Sequence, residues 1–128
     1  MGSELIHRGE TLPNHIWSAD SNFNNPELVY QIHKDYIDAG SNYITTNTFR
    51  TTPRAYRKTG LFQSDSIVMA HRSLRVAVRL ANKAANDKLK ILGSIAPLED
   101  CYEPKLFPGE KIAKNEFRQI GAWLVDEG

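Results

Sequence analysis

The 128 residues, 41% hydrophobic and 24% charged, suffice for one ordinary globular domain and exclude a disordered chain. A net charge of +1 gives no global attraction to nucleic acid or to an anionic membrane, and the single cysteine, Cys101, excludes an internal disulfide. No apolar run approaches a membrane span, and the polar start MGSELIHRGE is neither a signal peptide nor, with Ile6 at its sixth position, a myristoylation site. The expectation is a soluble cytoplasmic protein.

The first 25 residues, with Gly9, Pro13 and several asparagines, read mostly as loop. A helix then begins sharply: Asn25 suits the N-cap, Pro26 the first helical position and Glu27 the positive helix end. Leu28, Val29, Ile32, Tyr36 and Ile37 supply its apolar face, and Gly40 stops it. The β-branched and aromatic run Tyr43 to Phe49 predicts a strand. Thr52-Pro53 opens a short helix that Gly60 ends. Ser64 is a candidate cap for a long helix from about Asp65 to Asn86, whose inner face is Ile67, Ala70, His71, Leu74, Ala77, Val78, Ala81 and Ala85. Arg72, Arg75, Arg79 and Lys83 lie opposite, as a wet face. Leu89 to Ile95 predicts a second strand. A loop punctuated by Pro97, Pro104, Pro108 and Gly109 leads to a last amphipathic helix through Ile112, Ala113, Phe117, Ile120, Leu124 and Val125.

Helix, strand, helices, strand, helix is the order of a parallel sheet with helical crossovers, an α/β protein. The stretch IHKDYIDAG runs into a strand. IGAWLVDEG has the same shape with no strand after it, and two parallel strands do not close a sheet, so a truncated α/β domain is expected.

In such folds ligands sit at the carboxyl ends of the strands. Here those ends are Thr46-Asn47-Thr48-Phe49 and Gly93-Ser94-Ile95-Ala96-Pro97. Buried Asn, Thr and Ser side chains must find hydrogen-bond partners, either in neighbouring loops or in a polar ligand such as an amino acid's carboxylate. Trp17 is a packing plug or a pocket wall. No phosphate-binding glycine motif occurs. The four histidines, His7, His15, His33 and His71, form no metal-binding spacing, and His33 and His71 read as satisfied structural residues on helix faces. Cys101 lies in the acidic stretch Glu99 to Glu103, a poor setting for a nucleophile, and a lone cysteine is not a zinc site. Arg50, Arg54, Arg57 and Lys58, with Tyr56 among them, read as a solvated short helix or as a small anion or RNA contact.

The segments MGSELIHRG, LPNHIWSA, NNPELVYQIHKDYIDAG, ITTNTFRTTP and ILGSIAP together resemble the homocysteine S-methyltransferase family, across essentially the whole chain. That family includes betaine–homocysteine methyltransferases and the homocysteine module of methionine synthase. The resemblance implies a TIM (β/α)8 barrel of which residues 1–128 form the amino-terminal part of a single domain, truncated at both ends. They would run from the loop after the first barrel strand to the helix before the fourth. Ile44 to Phe49 and Ile91 to Ile95 would be its second and third strands. It implies methyl transfer from an activated donor to the thiol of homocysteine, giving methionine. Matched to the family, Asn47, Thr48 and Ser94 fall at substrate-pocket positions, Trp17 where an aromatic lines the site, and Glu4 beside it. It further implies a zinc held by three cysteines, none of which has a counterpart here; no metal ligand and no catalytic residue is expected among these residues. The other expectation is a zinc-free, non-catalytic fragment, or a module that binds a partner through exposed strand edges.

Overall fold

The computed structural model describes residues 1–128. Its sheet is small: β1 (Tyr43–Thr45) and β2 (Lys90–Leu92) pair in parallel, with Ile44 opposite Ile91. The crossover between them is right where the apolar pattern requires it. Helix α3 (Pro26–Asp38) leads into β1, and α4 (Pro53–Arg57) and α5 (Gln63–Ala85) connect β1 to β2. Helix α6 (Glu110–Asp126) follows β2.

Helix α3 forms as its punctuation predicts. The Asn25 side chain accepts from the Leu28 N–H at 3.3 Å, and Pro26 occupies the first turn. At the other end the Gly40 N–H bonds to the Ile37 carbonyl and the Ser41 N–H to that of Tyr36, a closure that needs Gly40 at φ +94. Helix α5 buries a stripe of small residues, Ala70, Ala77, Ala81, Ala84 and Ala85, with Leu74 and Val78. The stripe lets the helix lie close on its neighbours: Ile44 packs on Ala81 and Ala85, and Leu74 and Val78 on Ile120 of α6.

Five expectations are corrected. The first 25 residues are not mostly loop: α1 (Gly2–His7), a 3-10 turn (Trp17–Asp20) and α2 (Ser21–Asn24) lie there. These elements are too short for a periodic signal, and they are held by tertiary packing, as where Leu5 of α1 inserts against Val29 and Ile32. Ser64 does not cap α5. Phe62 stands at the N-cap position without a side-chain bond, and the Ser64 hydroxyl faces Asp65 instead. Both strands are shorter than their β-branched runs, because side-chain hydroxyls replace the ladder beyond Thr45, as described below. The basic cluster is not simply solvated, since Arg54 and Lys58 pair with acidic side chains of later elements. His33 is buried on α3, yet its Nε2 has no hydrogen-bond partner, so it is not a satisfied histidine.

Candidate functional site

The carboxyl ends of the two strands are joined by hydroxyl groups. The Thr46 N–H still donates to the Leu92 carbonyl at 2.9 Å, continuing the ladder by one bond. Beyond it the Thr46 and Thr48 hydroxyls lie 2.7 Å apart. The Ser94 N–H donates to both, at 3.1 and 3.2 Å, and the Thr48 hydroxyl donates to the Ser94 carbonyl at 2.6 Å. Ser94 is thus held by its backbone N–H and carbonyl, and its side chain is half-buried. Thr48 is buried and its oxygen is fully engaged.

Asn47 is also buried. Its amide nitrogen donates to the Ser18 carbonyl at 2.7 Å and to Asn22 Oδ1 at 2.8 Å. Asn22 returns a bond to the Asn47 carbonyl at 3.1 Å and reaches the Ser73 hydroxyl on α5 at 3.0 Å. Asn47 Oδ1 accepts nothing, and the only group it can take is a donor. Sequence reasoning did not reach Asn22 or Ser73, because their partners lie 25 and 51 residues away.

The bond from Asn47 to Ser18 fixes the backbone next to Trp17. Trp17 is held in the left-handed region at φ 50, a conformation that costs a bulky residue roughly 1–2 kcal/mol. Such strain persists only where the surroundings impose it, and it clusters at ligand sites. Its indole lies directly on Gly2. A Cβ there would stand 2.5 Å from the indole Nε1, so only glycine admits this packing. Trp17 is 37% exposed and forms one wall of an open cleft of about 620 Å³. Phe49, Arg50 and Lys58 line the cleft from the β1 side, and Cys101 and Tyr102 from the loop after β2. The Arg50 guanidinium stands 5.7 Å from the centre of the Phe49 ring. Aromatic walls with Arg50 and Lys58 on one side and the carboxylate of Asp100 on the other give the cleft charges of both signs.

The structure therefore brings Trp17, Asn47, Thr48 and Ser94 into one connected region. It does not bring Glu4 there by any bond: the Glu4 carboxylate accepts from Arg8 at 2.9 Å, and Arg8 in turn reaches Asp35 at 2.7 Å. Behind the cleft, burial pushes the Glu99 carboxyl up, but its bonds with Lys58 and Arg54 outweigh burial and hold it below the usual range. No group of three or more His, Cys, Asp or Glu side chains stands close enough to hold a metal ion, and Cys101 is exposed and alone. The residues present do not fit a thiolate-held zinc.

Two parallel strands joined by a helical crossover, with an open cleft near their carboxyl ends, define an α/β protein. Residues 1–125 match the model of the family described as homocysteine S-methyltransferase, and the chain belongs to that family. It is similar to homocysteine S-methyltransferase of Escherichia coli (strain K12), 31% identical over 102 residues that cover 76% of this chain and 33% of that protein. It is also similar to homocysteine S-methyltransferase 1 of Arabidopsis thaliana, 26% identical over 71% of this chain and 28% of that protein. The crystal structure of the homocysteine methyltransferase MmuM from Escherichia coli, in its metallated form, superposes with a TM-score of 0.81 at 28% identity. That match covers all of this chain and 48% of the other. The chain thus spans about a third of the length of the curated relatives it matches.

Proposed function

We propose that these residues form the amino-terminal part of a TIM-barrel methyltransferase domain. They would supply one side of the site where a methyl group passes from an activated donor to the thiol of homocysteine, giving methionine. The observation that carries this reading is the connected strand-end region. Trp17 is strained at the cleft wall, the Asn47 bond to Ser18 ties it to the strand end, and Thr48 ties that end to Ser94; Asn47 also keeps a buried carbonyl oxygen without a partner. Homocysteine carries an ammonium, a carboxylate and a thiol. Asn47 Oδ1, an acceptor only, pairs with the ammonium. The Ser94 hydroxyl and the cationic side of the cleft, Arg50 and Lys58, suit the carboxylate. Thr48 acts by holding Ser94 in place. Glu4 acts only indirectly, through the Arg8 pair that steadies α1.

Methyl transfer needs the thiolate, and a thiol of pKa about 8.5 is mostly protonated at neutral pH. In this reading no residue of the chain needs to act as general base. A zinc ion would supply that chemistry in the complete protein, with ligands drawn from outside these 128 residues.

The test is made in the complete protein, with kcat/KM for homocysteine measured beside metal content. A lost hydrogen bond to a charged group costs about 1.5–3 kcal/mol. Asn47→Ala and Ser94→Ala should therefore each lower kcat/KM by roughly ten- to a hundredfold with the metal retained. Unchanged kinetics in both variants would overturn the assignment.

A further inference from the structure

Ala96 and Leu98 are buried after β2, and then every residue from 100 to 107 is exposed. This arm carries Cys101, Tyr102 and Leu106, the wall of the cleft that faces Trp17 and Phe49. The arm is ordered within itself by a 3-10 turn at Pro104–Leu106, but with no buried side chain it has little packing to fix its position on the rest of the chain. It is held at its ends. Before the arm stands Glu99, and after it, on α6, stands Glu116.

One guanidinium grips both. Arg54 Nη1 donates to Glu99 Oε1 at 3.0 Å. Arg54 Nε and Nη2 donate to the two oxygens of Glu116 at 3.0 and 2.5 Å. The second oxygen of Glu99 accepts from Lys58. The group is partly shielded: the Arg54, Glu99 and Glu116 side chains are 15%, 11% and 23% exposed. The Glu116 hydrogen bonds, more than any other influence, strengthen the hold of Arg54 on its proton, so the guanidinium is charged at every pH of interest. Arg54 itself lies on α4, a few residues after Phe49 and Arg50 of the opposite wall. The ion group is therefore the hinge plate between the two walls of the cleft.

We propose that Arg54 is a positioning residue, a clasp that closes the arm of residues 100–107 onto the cleft by holding Glu99 and Glu116 together. Arginine is required because the planar fork serves two carboxylates at once, one of them through a bidentate pair, whereas a lysine is a point charge that serves one well. What the cleft holds rests on the reading given above; the clasp does not, since it acts in the empty protein.

The clasp is tested without ligand. Cys101, the only cysteine, is labelled with a naphthalene acceptor, and energy transfer from Trp17 is read in a Trp123→Phe background. Efficient transfer is expected in the parent chain, loss of transfer in Arg54→Met, and an intermediate value in Arg54→Lys. Glu116→Gln, a milder change, should also reduce transfer, and covers the case in which Arg54→Met does not fold. Raising the salt concentration should widen the cleft in the parent and change Arg54→Met little. Undiminished transfer in folded Glu116→Gln or in folded Arg54→Met would overturn the proposal. Failure of homocysteine to bind would count against the function proposed for the cleft and leave the clasp standing.

Discussion

His33 gives the chain a built-in sensitivity to acid. Its imidazole is buried on α3 with Nε2 unpartnered, beside a small pocket of about 170 Å³ lined by Met1, Tyr36, Tyr43 and Ile44. Burial first, and the nearby N-terminal ammonium second, lower its pKa from 6.5 to about 4. In the unfolded chain the imidazole takes up a proton near 6.5. Between pH 6.5 and 4 the unfolded state thus binds a proton that the folded state refuses. The stability tied to neutral His33 is complete above about 6.5 and is lost as pH falls toward 4. Each unit within that window is worth about 1.4 kcal/mol, so the chain should be about 2 kcal/mol less stable at pH 5 than at pH 7. Against a total of roughly 5–15 kcal/mol for a domain this is a large share. The carboxyls of Asp35 and Glu99 are held below their ordinary values by their hydrogen-bond partners. Urea unfolding followed by far-ultraviolet circular dichroism at a series of pH values measures the effect. In His33→Leu the slope between pH 7 and 5 should flatten. Equal slopes in parent and variant would refute the reasoning, as would a parent that gains stability on acidification.

The residues present offer no thiolate cluster, so purified chain stripped of loose ions should hold no stoichiometric zinc and show no methyl transfer on its own; metal analysis and a donor-to-homocysteine assay check both. The outer edges of β1 and β2 have no strand partner, and Tyr43 and Leu92 are exposed on the sheet face. Size-exclusion chromatography should therefore show self-association, and a sharp monomer with cooperative thermal unfolding would contradict that expectation. Gly2→Ala should push the Trp17 indole off its seat, since the added Cβ would stand 2.5 Å from Nε1, and a shifted Trp17 emission maximum in a Trp123→Phe background would report the displacement.

The sequence made some of this legible for identifiable reasons. Helix α3 could be bounded closely because an N-cap asparagine, a first-turn proline and a C′ glycine all coincide with the apolar period. The inner face of α5 was readable because small and aliphatic residues recur at helical spacing over 23 residues. The strands were read too long because β-branched residues say nothing about where Thr46 and Thr48 leave the ladder to bond Ser94 through their side chains. At the site, the parallel order of the elements pointed to the strand ends, and the resemblance pointed to Trp17. What stayed hidden depends on distant partners: Asn22 beneath Asn47, Gly2 beneath Trp17, and Arg54 between Glu99 and Glu116. The one available sign was an acidic stretch at 99–103 set against a basic one at 50–58, and charge alone does not say that two stretches meet.

On the function proposed above, homocysteine is received at the strand ends, in the region that joins Trp17 to Ser94. The most direct measurement is a titration of L-homocysteine into the complete protein, followed through the emission of Trp17, with Trp17→Phe as the control that assigns the signal. The expected result is a saturable change that Ser94→Ala weakens and that L-alanine, which lacks the thiol-bearing side chain, does not reproduce. A chain whose Trp17 emission is indifferent to homocysteine, or responds equally to both amino acids, would contradict it.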